Sequence, residues 1–297
     1  MIAPAHDLAA WPSRRIVIKP EDGSGDTLLA ELHASSDNNK PLIILVHGLG
    51  GSADSTYIQA TARAFLQAGY PVLRWHLRGA GPSAPLCRQH YFAGRSHDLR
   101  LLLVGLPLEL KAQGVVPIGF SLGGNLTLKF MGEGAAYSVL GAASICAPID
   151  LAASCRRIDA LINWPYRRYI LEQMKREVRA TPAQLDPVMK ERALQAATLW
   201  AFDEAYTAPR NGFPDAATLY AKSAANQFLA AIHQPTLVIH AGDDPWIPRQ
   251  SYDDVAWHAS SAVRLVLTKS GGHVGFHSRH GLWYPPVLVE FVQRLTG

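Results

Sequence analysis

The chain has 297 residues, 48% of them hydrophobic and 18% charged, which excludes a disordered or fibrous polypeptide and suits one large core or two modest ones. A formal net charge of +4, with no like-charge run beyond pairs such as Arg14-Arg15, Arg156-Arg157 and Arg167-Arg168, weighs against nucleic-acid binding. Three cysteines, Cys87, Cys146 and Cys155, lack CxxC or zinc-type spacing and form no disulfide framework.

Residues 1–14 show no basic segment followed by an apolar stretch, so no signal peptide is expected. No run approaches the roughly 18 apolar residues of a membrane span, and a cytoplasmic location is the expectation. Ile16 to Ile18 and Thr27 to His33 read as opening strands of an antiparallel hairpin around the turn-rich Glu21 to Gly25. Leu42 to Val46 is a continuous apolar run, as in a strand buried on both faces. The Gly-rich His47-Gly48-Leu49-Gly50-Gly51 follows, then a helical pattern from Ser55 to Ala68 stopped by Gly69.

Pro71 to Leu77 predicts a further strand, and Asp98 to Lys111 a helix with an N-terminal acid. Val115 to Phe120 and Val139 to Cys146 read as strands on either side of a helix at Leu122 to Gly132. From 150 to 231 the strand-like runs stop, and aromatics, arginines and spaced prolines take over. Strands return at Thr236 to His240 and Val263 to Thr268. A last helix follows Pro285-Pro286, with Val287, Leu288, Phe291 and Leu295 at helical spacing. The alternation predicts an α/β fold, a mostly parallel sheet with helices on both faces. Residues 1–149 and 232–297 would form the core and 150–231 a helical insertion.

Gly119-Phe120-Ser121-Leu122-Gly123 lies between a strand pattern and a helix pattern, the context that makes G-x-S-x-G a nucleophile elbow. So sharp a turn strains the serine backbone and leaves no room for side chains at the flanking positions. A serine needs a base to take its proton, and the order for this architecture is Ser, acid, His. Asp243 and Asp244 follow the Thr236 to His240 strand, and His273 follows Gly271-Gly272 beyond the next one. Asp244 is the preferred acid, with Asp243 as the alternative. His277 and His280 compete with His273, but no carboxylate completes a metal set with them, and no metal is expected. The loop at 47–51 is where such a fold takes a second oxyanion donor, so the backbone N–H groups of Leu49 and Leu122 are the candidate pair.

The chain resembles the YheT-like branch of the α/β-hydrolase superfamily, related to eukaryotic lipid esterases. The resemblance rests on His47 to Ser52, Arg78-Gly79 with Asp98-Leu99, and Gly119 to Asn125. It continues through Phe202-Asp203, Gly212-Phe213, Asp243-Asp244-Pro245 and Gly271 to Phe276. It implies hydrolysis of acyl or lipid-like carboxylic esters without cofactor, or acyl transfer to an alcohol through the same acyl-enzyme. The branch usually carries Tyr-His before the Ser-Gly or Ala-Gly step ahead of Asp98. Here the stretch reads Tyr91-Phe92-Ala93-Gly94, so any polar role of that His is missing.

The insertion is expected to act as a lid. Trp164, Tyr166, Tyr169, Trp200, Phe202, Phe213 and Trp246 are candidates for pocket walls, although aromatics at helical spacing are more often core. A small-molecule acyl ester is the expected partner, with transient contact to membrane lipid suggested by Trp164, Tyr166 and Tyr169 around Arg167-Arg168. A ligand-binding protein that keeps the fold without turnover is the rival outside enzymes.

Overall fold

The computed structural model describes residues 8–35, 39–136, 138–181, 184–279 and 281–297. Strands β1 (Ser13–Ile18) and β2 (Leu28–His33) form the hairpin, followed by β3 (Leu42–Val46), α1 (Thr56–Gln67) and β4 (Val72–His76). Next come α2 (His97–Gly105), α3 (Leu108–Lys111), β5 (Val115–Phe120), α4 (Leu122–Gly132) and β6 (Ala142–Ile145). Helices α5 (Leu151–Asp159), α6 (Trp164–Ala180), α7 (Pro187–Gln195), α8 (Leu199–Phe202), α9 (Ala208–Arg210) and α10 (Ala216–Ser223) follow without an intervening strand. The chain closes with β7 (Thr236–Ala241), α11 (Gln250–Asp253), β8 (Val263–Thr268), the short pair β9 (His277–Ser278) and β10 (Gly281–Leu282), and α12 (Tyr284–Thr296).

The sheet runs β1-β2-β4-β3-β5-β6-β7-β8. Its first two contacts are antiparallel and the remaining five parallel. Strand β3 shows why an unbroken apolar run was needed. Leu42, Ile44 and Val46 pack with Leu126 and Phe130 of α4 and Leu99 and Leu102 of α2. Ile43 and Leu45 join Ile58 and Phe65 of α1 and Leu288 and Val292 of α12 on the other face. Both faces of the strand are thus covered.

Two expected elements differ in extent. The helix anticipated from Asp98 to Lys111 is broken, because Pro107 disfavours the helical region at Leu106, which lies at φ −71° and ψ 139°. The strand anticipated over Val139 to Cys146 is shorter. Val139 makes only an isolated bridge to Val115, and Cys146 turns out of the sheet at φ 49°.

The helical segment after β6 has its own buried cluster, from Leu151 through Phe202 to Ala224. Several of its helices, though not α6 or α9, start where a side chain accepts from a free backbone N–H group. Asp150 caps α5 through Ala153, Asp186 caps α7 through Met189, and Asp215 caps α10 through Thr218. Ala225 and Leu229, although inside the 150–231 stretch, pack with the sheet core.

Candidate active site

The junction of β5 and α4 sets the position of Ser121. Its backbone lies at φ 52° and ψ −122°, a region that costs a side-chain-bearing residue about 1–3 kcal/mol. Surrounding bonds hold it there: Ser121 N–H donates to Ile145 O at 2.8 Å and Ser121 O accepts from Asn125 N–H at 3.1 Å. A Cβ on Gly119 would stand 2.2 Å from Gly123 O, and one on Gly123 would stand 2.4 Å from His47 O. The motif glycines are therefore spaces that the crossing backbone occupies.

His273 Nε2 lies 2.9 Å from Ser121 Oγ and its Nδ1 2.8 Å from Asp244 Oδ2. A carboxylate only accepts, so Nδ1 carries the proton and Nε2 is free to accept from the serine. Asp244 is almost fully buried. Burial alone would raise its carboxyl, but the His273 hydrogen bond and charge, with the N–H groups of Trp246 and Ile247, hold it below the usual carboxylate value. Asp243 points elsewhere: its Oδ1 accepts from Gly271 N–H and Gly272 N–H, both at 2.8 Å. It fastens the loop that carries His273. His277 lines the cavity beside this site, and His280 lies outside the described residues.

The 47–51 loop touches the serine, since a Cβ on Gly48 would sit 3.0 Å from Ser121 Cβ. Gly48 N–H donates to Tyr57 Oη at 2.9 Å, Gly50 N–H to Tyr91 Oη at 2.8 Å, and Gly51 N–H to Gly48 O at 3.2 Å. Among the described residues, no such partner engages the Leu49 N–H. His47 is buried, accepting from Leu77 N–H at Nε2 and donating from Nδ1 to Gly48 O at 2.8 Å. Burial holds its pKa down to about 4, so the ring is a neutral brace. Gly48 O and Leu49 N–H point opposite ways in one trans peptide, so bracing the carbonyl orients the N–H. Sequence reasoning missed Tyr57 and the His47 brace and quoted Tyr91 only within the 91–94 stretch, because hydroxyls 9 and 41 residues away carry no local motif. Asn125 was quoted only as part of the elbow string. Its side chain bonds Ala93 O, Ser223 O and Ala225 N–H, tying α4 to the end of the helical segment.

These groups open into a cavity of about 640 Å³. Its walls include Leu151, Ile158, Ile170, Met174, Leu199 and Leu219 from the helical segment. Of the aromatic candidates, Tyr169, Phe202 and Trp246 line it. Phe213 instead packs edge-on against Phe92, and Trp200 packs on Tyr220. Tyr166, itself exposed, packs edge-on against Trp246. Among the described residues, Cys146, Asp244 and His273 form a group with ligand atoms within 4.8 Å of one another. Burial pushes the Cys146 thiol well up, and the other two are engaged with each other, so this is a poor donor set for a cation.

Asp203 also lines the cavity, on a π-helical turn over Asp203–Thr207. It accepts from Thr207 Oγ1 at 2.6 Å and Tyr220 Oη at 2.5 Å. Burial pushes its carboxyl up to about 6 against these bonds, with the Asp159 charge adding to the rise. The folded chain thus holds this proton more tightly than the unfolded one, so the group destabilises the fold as pH rises from about 4 to 6. Asp203→Asn is expected to raise Tm by a few degrees at pH 8 and to leave it unchanged at pH 4. Thermal melts across that range check it; parallel curves for the two proteins would contradict the sign.

A family model described as alpha/beta hydrolase fold matches residues 41–279. The chain belongs to the α/β-hydrolase-fold family, within its YheT-like branch. It is 30% identical over 260 residues to "Putative esterase YheT" of Escherichia coli (strain K12), covering 86% of this chain and 76% of that protein. It is 28% identical to "Abhydrolase domain-containing protein 2" of Drosophila melanogaster, covering 93% and 74%. The solved Pyrococcus furiosus esterase PF2001 superposes with a TM-score of 0.67 at 18% identity, covering 97% of this chain and 93% of that one. At that identity the likeness concerns the fold.

Proposed function

We propose that the chain hydrolyses carboxylic esters, acyl or lipid-like, through a Ser121-His273-Asp244 triad and an acyl-enzyme. One observation carries this reading: a hydrogen-bonded line from Ser121 Oγ through His273 to Asp244, at a strained elbow opening into a largely apolar cavity. Ser121 Oγ attacks the ester carbonyl while His273 Nε2 takes its proton, and ionised Asp244 stabilises the imidazolium. The N–H groups of Leu49 and Leu122, the latter at the N-terminus of α4, receive the developing oxyanion. His273 then protonates the departing alcohol, and water repeats the sequence on the acyl-enzyme. Residues 150–231 act as a lid, and the apolar wall they supply accommodates the acyl chain. Labelling with a fluorophosphonate probe tests the assignment; an adduct mapped anywhere other than Ser121 ends it.

The lid also presents a surface suited to lipid. Leu161 is 83% exposed, Ile162 78% and Tyr169 64%, with Trp164 and Tyr166 beside them and Arg167-Arg168 interleaved. No helix among the described residues is long and apolar enough to cross a membrane. An exposed apolar stretch with arginines at its flank rests on an anionic interface. The variant Ile162→Ser with Trp164→Ala is expected to bind anionic vesicles about tenfold more weakly while hydrolysing a short soluble ester at the original rate. Vesicle sedimentation measures the first, and unchanged binding would refute the contact.

A further inference from the structure

The two tyrosine hydroxyls that hold the Gly48–Gly51 stretch differ in what lies behind them. Tyr57 sits on α1, half-buried and packed against the core on that face of the sheet. Tyr91 Oη accepts from Gly50 N–H and gives its own proton to Glu177 of α6, 3.1 Å from Oε1. Burial, with the Glu177 charge, pushes the phenol well above its usual pKa, so it keeps the proton it donates. His90 stacks on the Tyr91 ring with centroids 4.4 Å apart, and its Nε2 lies 3.2 Å from Glu177 Oε2. The same helix meets the loop a second time. Gly50 lies at φ 65°, and a Cβ there would stand 3.3 Å from Gln173 Cβ.

Helix α6 therefore reaches the loop by direct packing and through the path Gly50 N–H, Tyr91 hydroxyl, Glu177 carboxylate. Three glycines in four residues leave the loop little stiffness of its own. Its shape depends on the partners of its N–H groups. Leu49 stands between the two peptides that the tyrosines hold, so fixing Gly48 and Gly50 fixes Leu49. A carboxylate acceptor strengthens the path, since hydrogen bonds to ionised groups are the stronger kind and chains of them reinforce one another.

We propose that Tyr91 is a positioning residue through which the seating of α6, relayed by Glu177, sets the Leu49 N–H, so that the oxyanion site is complete only when the helical segment is docked. This rests on the reading of Leu49 as an oxyanion donor. It gives the Tyr91 step of the sequence a role that needs no histidine after it: the polar partner comes from α6, and His90 on the other side of Tyr91 flanks the same carboxylate.

The test uses the full chain, with Tyr91→Phe, Glu177→Gln and their combination. Three readouts are taken: kcat and KM on a short soluble ester, affinity for a boronic acid that forms a tetrahedral adduct, and amide exchange of residues 47–51. Tyr91→Phe is expected to lower kcat about tenfold, less than the loss of a whole oxyanion donor, with KM held within about twofold. Boronate affinity should fall by the same factor. Glu177→Gln should have a smaller effect in the same direction and add nothing on top of Tyr91→Phe. Both single variants should exchange the loop amides faster.

Wild-type kcat in Tyr91→Phe overturns the proposal, as do multiplying effects of the two substitutions or unchanged exchange. If Tyr91→Phe does not fold, Glu177→Gln and Glu177→Ala, at a partly exposed side chain, decide on the same readouts. If the wild type neither turns over esters nor takes the probe at Ser121, the hydrolase reading falls separately. The exchange arm still settles the link.

Discussion

Ser121→Ala is expected to lower kcat for ester hydrolysis by roughly ten-thousand- to a million-fold, the scale seen when a triad nucleophile is removed. On the proposed mechanism, without Oγ His273 Nε2 has no hydroxyl to deprotonate, and the proposed oxyanion donors, the Leu49 and Leu122 N–H groups, are left to assist only slow attack by water. His273→Ala should cost a similar amount, because the two side chains act as one unit. The double variant should be no slower than either single one. Asp244→Asn should fall far as well, since an amide that donates toward Nδ1 favours the wrong tautomer. Fold is not at stake: the elbow is held by backbone bonds to Ile145 and Asn125, and Tm should stay near that of the wild type. The check is hydrolysis of a p-nitrophenyl ester by protein freed of contaminating hydrolase. A Ser121→Ala rate within tenfold of wild type would sink the triad.

The largest expected effect on stability is at Arg78, a fully buried guanidinium. Its Nε and Nη2 grip both oxygens of Asp98 at 2.9 and 2.8 Å. Nη1 donates to Asp26 at 2.9 Å and to Ser24 at 3.0 Å, and Nη2 to Asp22 at 2.7 Å. One cation thus joins the β1–β2 connection, the turn after β4, and α2. Arg78→Met removes the charge, leaves the buried Asp26 carboxylate without its ion-pair partner and leaves Asp98 with Arg95 Nε at 2.8 Å in place of two guanidinia. Breaking one side of a buried ion cluster costs about 3–5 kcal/mol, which for a chain of this size lowers Tm by roughly 10 °C. Arg78→Lys should recover only part, because an ammonium cannot span the fork that Asp98 fills. Urea titration gives the free energy; a change below about 1 kcal/mol would mean that water reaches the cluster. The Arg78-Gly79 and Asp98-Leu99 strings, quoted together as a mark of the branch, are two ends of this contact.

The sheet was legible because strands buried on both faces must be apolar throughout, as at Leu42 to Val46 and Val115 to Phe120. The elbow was legible because its turn tolerates so few residues at 119, 121 and 123. Asp243 against Asp244 was open for a physical reason: adjacent residues in one turn differ mainly in side-chain direction, which composition does not encode. Pocket walls were harder still. Aromatic side chains at Trp200, Phe202 and Phe213 mark contact with something apolar, but whether that is another ring or the cavity depends on how α8 and its neighbours pack together. The partners of the 47–51 loop were least legible, because Tyr57 and Tyr91 act through single hydroxyls brought close only by folding.

Strands β6 and β7 bond directly to each other in parallel, although the whole run of helices lies between them in the chain. The ladder therefore makes no use of what leaves one strand and returns to the other. Asn125 and the packing of Ala225 and Leu229 secure the return, which puts natural graft points near Leu151 and Ala224. On the proposed reading of 150–231 as a lid, the stretch between them is expected to be replaceable without disturbing a strand register, provided the replacement again meets Pro245 as Arg157 and Asn163 do and offers an acceptor to Tyr91.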